Sequence, residues 1–235
     1  MTRKVTILTL FPEMFPGPLG HSLVGKALKK NLWQLNIVDI RSFTEDKHQT
    51  VDDTCFGGGP GMVMRPDVVD KALTSVMEKG KARLFHLTPR GQVFKQKLAQ
   101  EMAHSSLPFV FLCGRYEGID QRVLEAWEAE DISLGDFILT GGELAAMTIL
   151  DSIVRLMPGV IGDEDSLKEE SFSTGLLEYA HYTRPREWKT RVVPDVLLSG
   201  NHRNIEKWRQ AQAEAITQER RPDLWNQYIN QHDVT

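Results

Sequence analysis

Two glycine-rich stretches constrain this chain more than any other feature: GRYEGID at residues 114–120 and ISLGDFILTGGE at residues 132–143. Each follows or contains an apolar run that reads as a buried strand, residues 109–112 in the first and residues 137–139 in the second. Each then supplies glycine where a strand should end and a helix begin. In open α/β sheets, ligands bind beyond the carboxyl ends of the strands, where glycine lets backbone approach them closely. Two such loops about one short helix apart predict a single pocket. Neither is a phosphate loop, since the chain contains neither GxxxxGKS/T nor GxGxxG. The pocket is therefore expected to hold something other than a nucleoside triphosphate on a P-loop.

The flanking sequence predicts an α/β domain. Strands are expected at residues 4–10, 35–40, 84–87, 109–113 and 131–134, from β-branched and aromatic content. Helices are expected at residues 22–32, at 66–79 with Gly80 as the stop, from the turn at 88–91 to near His104, at 122–128, and from Gly141 to about Leu156. That alternation argues for a mostly parallel sheet with helices on both faces. Residues 41–64 lack periodicity and contain GGGPG at 57–61. A stretch of that length is functional or disordered in a compact domain, and a plain surface loop explains it equally well. After Gly162 the pattern changes. Residues 1–160 read as the main domain, 161–176 as an acidic linker and 177–235 as a helical appendage. From about Asn201, Ile205, Trp208, Ala211 and Ala215 share one helical face.

Charge separates the last two segments. The chain as a whole carries −4, which argues against a globally basic nucleic-acid binder. Residues 163–178 nonetheless carry a local net of −5, and residues 184–221 a local net of +4. With 41% hydrophobic and 26% charged residues, and no apolar run near the ~20 residues that span a bilayer, the composition is that of a soluble globular protein. The basic pair and apolar run at the start read as a first strand, because Phe11-Pro12-Glu13 follows where a signal peptide would carry small residues. Cys55 and Cys113 fit neither a disulfide framework nor a metal site. A reducing cytoplasm is the expected compartment.

Several side chains carry chemistry in more than one reading. Gly91, Gly114, Gly118, Gly135, Gly141 and Gly142 all fall at expected strand exits, where backbone amides and carbonyls can grip an adenine and a ribose. Arg115 and Glu117 are expected to form a surface ion pair. Arg155, between Val154 and Leu156 in an apolar helix, must snorkel, pair or point into a site. Glu169 and Glu170 read as solvated linker charges on composition alone. The seven histidines show no HxH or HExxH spacing, so no metal ligands are assigned. HYTRP at 181–185 and LLSGNH at 197–202 suit a nucleic-acid surface, and on the residues alone suit an interdomain loop with a helix cap at Ser199 or Asn201 slightly better.

Taken together, these motifs resemble a known family. GGGPGM, CGRYEGID, ISLGDFILTGGELAAM, SF followed by GLL, HYTRP and LLSGNH stand in the order and spacing of bacterial tRNA (guanine-N(1)-)-methyltransferases, members of the SPOUT class of trefoil-knotted methyltransferases. The resemblance runs from LTLFP at residues 8–12 to about Arg221. It implies a deep knot formed by the segment holding both glycine-rich loops. It also implies S-adenosylmethionine bound there by Leu87, Gly114, Glu117, Gly118, Ser133, Leu134, Gly135, Asp136, Phe137, Ile138, Leu139, Gly141 and Gly142. A homodimer would join the knot of one subunit to the linker and C-terminal domain of the other. The substrate would be N(1) of guanosine 37 in tRNA, beside the anticodon, with Gly59, His181, Arg184, Asn201 and His202 as RNA contacts.

Guanine N(1) carries a proton at neutral pH, so the reaction calls for a carboxylate base and a cation near the exocyclic oxygen. The family pattern assigns these roles to Glu170 and Arg155. Glu170 stands where the family carries aspartate, with Glu169 and Asp165 as neighbouring alternatives. Glu178 likewise replaces an aspartate, and Tyr179-Ala180 lacks a proline usual before HYTRP. Mg²⁺ is a further cofactor the resemblance suggests, with carboxylates for it in the acidic linker. The competing readings are a SPOUT methyltransferase for another RNA and a non-catalytic RNA-binding dimer.

Overall fold

A computed structural model describes residues 2–162 and 167–232. They form two compact units, dividing between Gly162 and Asp163.

In the first unit, strands β1 (Arg3–Thr9), β2 (Trp33–Asp39), β5 (Arg83–Val93), β6 (Phe109–Leu112) and β7 (Glu130–Ser133) build one sheet in the order β2-β1-β6-β5-β7. Every pairing in it is parallel. Central β6, sequence FVFL, is buried along its whole length, as a strand covered on both faces requires. One face carries α1 (Ser22–Lys29), α3 (Gln96–His104) and α5 (Glu143–Val154), packed over Val5, Ile7, Phe85, Phe109 and Phe111. The other carries α2 (Pro66–Val76) and α4 (Gln121–Ala126), packed over Leu8, Leu84, Val110 and Leu112. Phe85 lies 5.4 Å from Phe109 and 5.1 Å from Phe111 between ring centroids. Such pairs add about 0.5–1.5 kcal/mol each beyond the area they bury.

The parallel α/β architecture is the expected one, with five local differences. β5 does not stop at Leu87. Leu87 and Gln92 both pair with Ile132, so residues 88–91 leave the ladder and the strand resumes beyond them. Gly91 permits this, because a Cβ there would overlap the Asp131 carbonyl carbon and the Ile132 amide. Residues 137–139 are not a strand: Phe137 is 54% and Ile138 80% exposed. α2 ends at Val76, where Met77 turns extended, rather than running to a stop at Gly80. Residues 41–64 contain an antiparallel pair, β3 (Asp52–Thr54) with β4 (Met62–Met64), instead of lacking structure. β4 is stitched to the first glycine-rich loop: Glu117 N donates to Met62 O, Met64 N to Gly118 O, and Asp120 N to Met64 O. Finally, Arg115 pairs with Glu143 rather than with Glu117.

The second unit carries the two-residue strands β8 (Glu187–Trp188) and β9 (Arg191–Val192), then α6 (His202–Arg220) and α7 (Pro222–His232). Asn201 caps α6 by accepting from Asn204 N at 3.2 Å. The buried face of α6 centres on Ala213 and Thr217, while Ala211 and Ala215 are exposed. Gln210 reaches the Tyr228 hydroxyl of α7 at 3.2 Å, and this neighbour sets which face is covered. Thr217 Oγ1 accepts from Leu177 N at 2.8 Å, which ties the segment after Ser171-Phe172 to the helix.

Candidate active site

Three chain segments converge at the carboxyl end of the sheet: residues 88–90 from β5, 114–119 after β6, and 132–142 after β7. They enclose a cleft of about 480 Å³, within the range that holds a small ligand. After β6, Cys113 N donates to Leu8 O at 2.9 Å, and Gly118 N closes a turn on Arg115 O at 3.0 Å. After β7, Gly135 N donates to Ser133 Oγ at 3.1 Å and Phe137 N to Gly135 O at 2.9 Å. Gly142 N donates to Gly114 O at 3.1 Å, so the two glycine-rich loops are bonded to each other. A Cβ at Gly142 would lie 2.8 Å from Cys113 Cα, far inside van der Waals contact. Only glycine allows the loops to lie this close.

A buried polar cluster holds that junction. Glu143, the first residue of α5, is fully buried and its carboxylate faces the positive end of the helix dipole. Thr9 Oγ1 donates to its Oε1 at 2.7 Å. Arg115 Nη2 lies 2.9 Å from its Oε2, close enough to neutralise it though without hydrogen-bond alignment. Arg115 also donates to Thr140 O at 3.1 Å and lies over the Phe11 ring at 4.3 Å. The cluster therefore joins the end of β1 to both glycine-rich loops. Burial, reinforced by the Glu143 charge, pushes the Cys113 thiol well above its ordinary range, which removes it as a nucleophile.

Of the thirteen residues expected to hold a cofactor, all but Asp136 line this cleft. His86, Thr88, Pro89 and Arg90 line it too, and they were not expected there because Pro-Arg-Gly has the signature of a turn into a helix. His86 is buried, and its Nδ1 meets Asp131 Oδ1 at 2.9 Å. Burial pushes its pKa down, against the pull of Asp131, so the ring stays neutral. Leu87, Ile132, Leu134, Ile138 and Leu139 supply apolar surface among exposed backbone polar groups. That donor set suits a flat purine with a short polar tail; of the two arginines in the wall, Arg90 and Arg115, the second is paired with Glu143.

The two residues expected to do the chemistry are not part of the cleft wall. Arg155 is the C-terminal cap of α5, at the opposite end of the helix from Gly142. Glu170 belongs to the second unit, where Glu169, Glu178, Tyr179 and Arg209 share a bay of about 210 Å³ with it. Asp165, the other alternative base, lies outside the described residues. The expected RNA contacts Gly59, His181, Arg184, Asn201 and His202 are all exposed. Among the described residues, no three His, Cys, Asp or Glu side chains converge as a metal site; Asp163, Glu164 and Asp165 of the acidic linker lie outside them. No helix among the described residues is long and apolar enough to cross a membrane either.

Comparison with known proteins gives this geometry a context. Residues 3–227 match the family described as tRNA (Guanine-1)-methyltransferase TrmD. The tRNA (guanine-N(1)-)-methyltransferase of Rhodospirillum rubrum is 57% identical over 97% of this chain and 95% of its own length. The proteins of the same name from Nitrobacter winogradskyi and Brucella ovis are 54% and 56% identical, over 96% and 95% of this chain and 94% and 91% of theirs. Both units thus fall within one match, and the chain belongs to the tRNA (guanine-1)-methyltransferase family.

Proposed function

We propose that this chain methylates N(1) of guanosine 37 in tRNA, taking the methyl group from S-adenosylmethionine. The observation that carries the reading is the glycine-lined cleft formed by residues 88–90 of β5 and the loops after β6 and β7, in a chain whose family and near relatives are named for methylation of tRNA at guanine N(1). Leu87, Ile132, Leu134, Ile138 and Leu139 would sandwich the purine. The backbone at Gly114, Gly118 and 133–142 would read its edges and the ribose. The bound cofactor supplies a methyl group on a sulfonium, already electrophilic. What remains for the protein is to prepare the acceptor.

Glu170 takes the N(1) proton, which frees the ring nitrogen's electron pair, and Arg155 offsets the negative charge that develops on the exocyclic oxygen. As the family resemblance implies, the reading includes a homodimer whose active site is shared between subunits. The first unit is then the methyltransferase domain and the second the tRNA-binding domain. The close approach of residues 88–91, 114–118 and 132–142 supports a trefoil knot around the cofactor. His181, Arg184, Asn201, His202 and Gly59 are the proposed RNA contacts, and a loop base splayed from its stack suits them.

The test is transfer of labelled methyl to tRNA transcripts carrying guanosine or adenosine at position 37. Labelling only of the guanosine transcript is expected. Equal labelling of both would refute the site. Glu170→Gln is expected to bind the cofactor normally and to lose transfer, and near-normal turnover would move the base elsewhere.

A further inference from the structure

Glu169 and Glu170 are adjacent carboxylates of the second unit. Both oxygens of Glu169 are engaged. Arg209 Nη1 lies 3.3 Å from Oε1 and 3.0 Å from Oε2, and the Tyr179 hydroxyl donates to Oε2 at 2.5 Å. The Arg209 guanidinium also lies over the Tyr179 ring at 4.8 Å. The three side chains thus close a triangle between the Glu169 segment, the segment before HYTRP, and α6. Tyr179 carries His181 against its ring at 4.9 Å. The same segment is folded back on itself: Phe172 N donates to Leu176 O, Ser173 N to Glu170 O, and Glu178 N to Ser171 Oγ.

We infer that Glu169 is a positioning residue, clamped by Arg209 and Tyr179, which presents its neighbour Glu170 as the proton acceptor and His181 as an RNA contact. The inference rests on the reading of Glu170 given above. A carboxylate held by a guanidinium and a phenol has both oxygens fixed in place, which suits it to orient the segment that carries it. Burial and the hydrogen bond to Glu169 push the Tyr179 hydroxyl up to about 12, so it remains a donor through the physiological range. Glu169 and Arg209 side chains are 54% and 38% exposed, and exposed ion pairs contribute little to stability. The triangle is better explained by orientation than by stability.

Steady-state turnover on tRNA separates the possibilities, using Glu169→Gln, Tyr179→Phe and Glu170→Gln, with cofactor affinity measured by calorimetry. Tyr179→Phe removes one hydroxyl and keeps the ring, which guards against a folding defect. Glu169→Gln and Tyr179→Phe are expected to lower kcat roughly 10–100-fold, as misplacing a catalytic group does, with cofactor affinity unchanged. In Glu169→Gln the acid limb of the kcat profile should also move to lower pH, because a negative charge beside the base has gone. If Glu169→Gln abolishes turnover while Glu170→Gln retains it, Glu169 is the base and the inference is overturned. If Glu170→Gln is inactive while the other two keep wild-type kcat and acid limb, the base assignment stands and the clamp is refuted. If all three keep wild-type turnover, the Glu170 assignment falls, and the inference with it.

Discussion

Replacing Arg115 by alanine removes the counter-charge from a carboxylate that solvent does not reach. Glu143 is fully buried, and Arg115 Nη2 lies 2.9 Å from its Oε2. At an effective dielectric near 20 the gross attraction across that gap is about 6 kcal/mol. Much of it is cancelled by the cost of burying the two charges. Deleting one partner of a buried pair nevertheless destabilises by about 3–5 kcal/mol, because the other is stranded. The opposite deletion should be milder. Glu143→Gln keeps an oxygen for the Thr9 hydroxyl, and the guanidinium retains Thr140 O, the Phe11 ring and partial exposure. Urea denaturation of the cofactor-free protein should therefore rank Arg115→Ala below Glu143→Gln by about 2 kcal/mol. The double variant should be more stable than Arg115→Ala alone, since it strands no charge. Equal effects, or strictly additive ones, would refute the claim that the pair acts as a unit.

Gly142→Ala should destabilise by about 1–3 kcal/mol and weaken cofactor binding measured by calorimetry, because the new methyl would push the two loops apart at Cys113. The His86 pKa lies below its ordinary 6.5 through burial, so the folded ring stays neutral where the unfolded one takes a proton. Its contribution is complete above about pH 6.5 and declines as pH falls toward the folded value, and His86→Asn should flatten that part of the stability–pH curve. Thr217→Val deprives Leu177 N of its acceptor and should cost about 1–3 kcal/mol, read as earlier melting of the second unit.

Much of the first unit is legible in the sequence because its signals are local. The FVFL run, the VTIL run of β1 and the long apolar α5 can only be buried, and alternation with helices selects a parallel sheet. The glycines at the ends of β6 and β7 mark the cleft. What escapes depends on partners distant in the chain. Residues 88–91 carry a turn signature, yet pairing with Ile132 on β7 draws β5 onward past them. The apolar triplet at 137–139 reads as a strand, but no neighbouring strand pairs with it and it forms the cleft rim instead. Proximity in sequence matches Arg115 with Glu117, whereas its charge partner lies 28 positions away at Glu143. On α6, apolar periodicity favours Ala211 and Ala215, whereas α7 and the Leu177 segment cover Ala213 and Thr217. The Glu169 ion pair is illegible for the same reason, since its partner Arg209 lies 40 positions on.

The bond from Gly142 N to Gly114 O means that the walls of the cleft cannot part without breaking each other. Much of what such walls offer a ligand is peptide rather than side chain. A competitive inhibitor that binds main-chain groups there would leave point substitution few ways to exclude it. Side-chain changes cannot delete a peptide group, and changes at Gly142 damage the fold before they damage the drug's contacts.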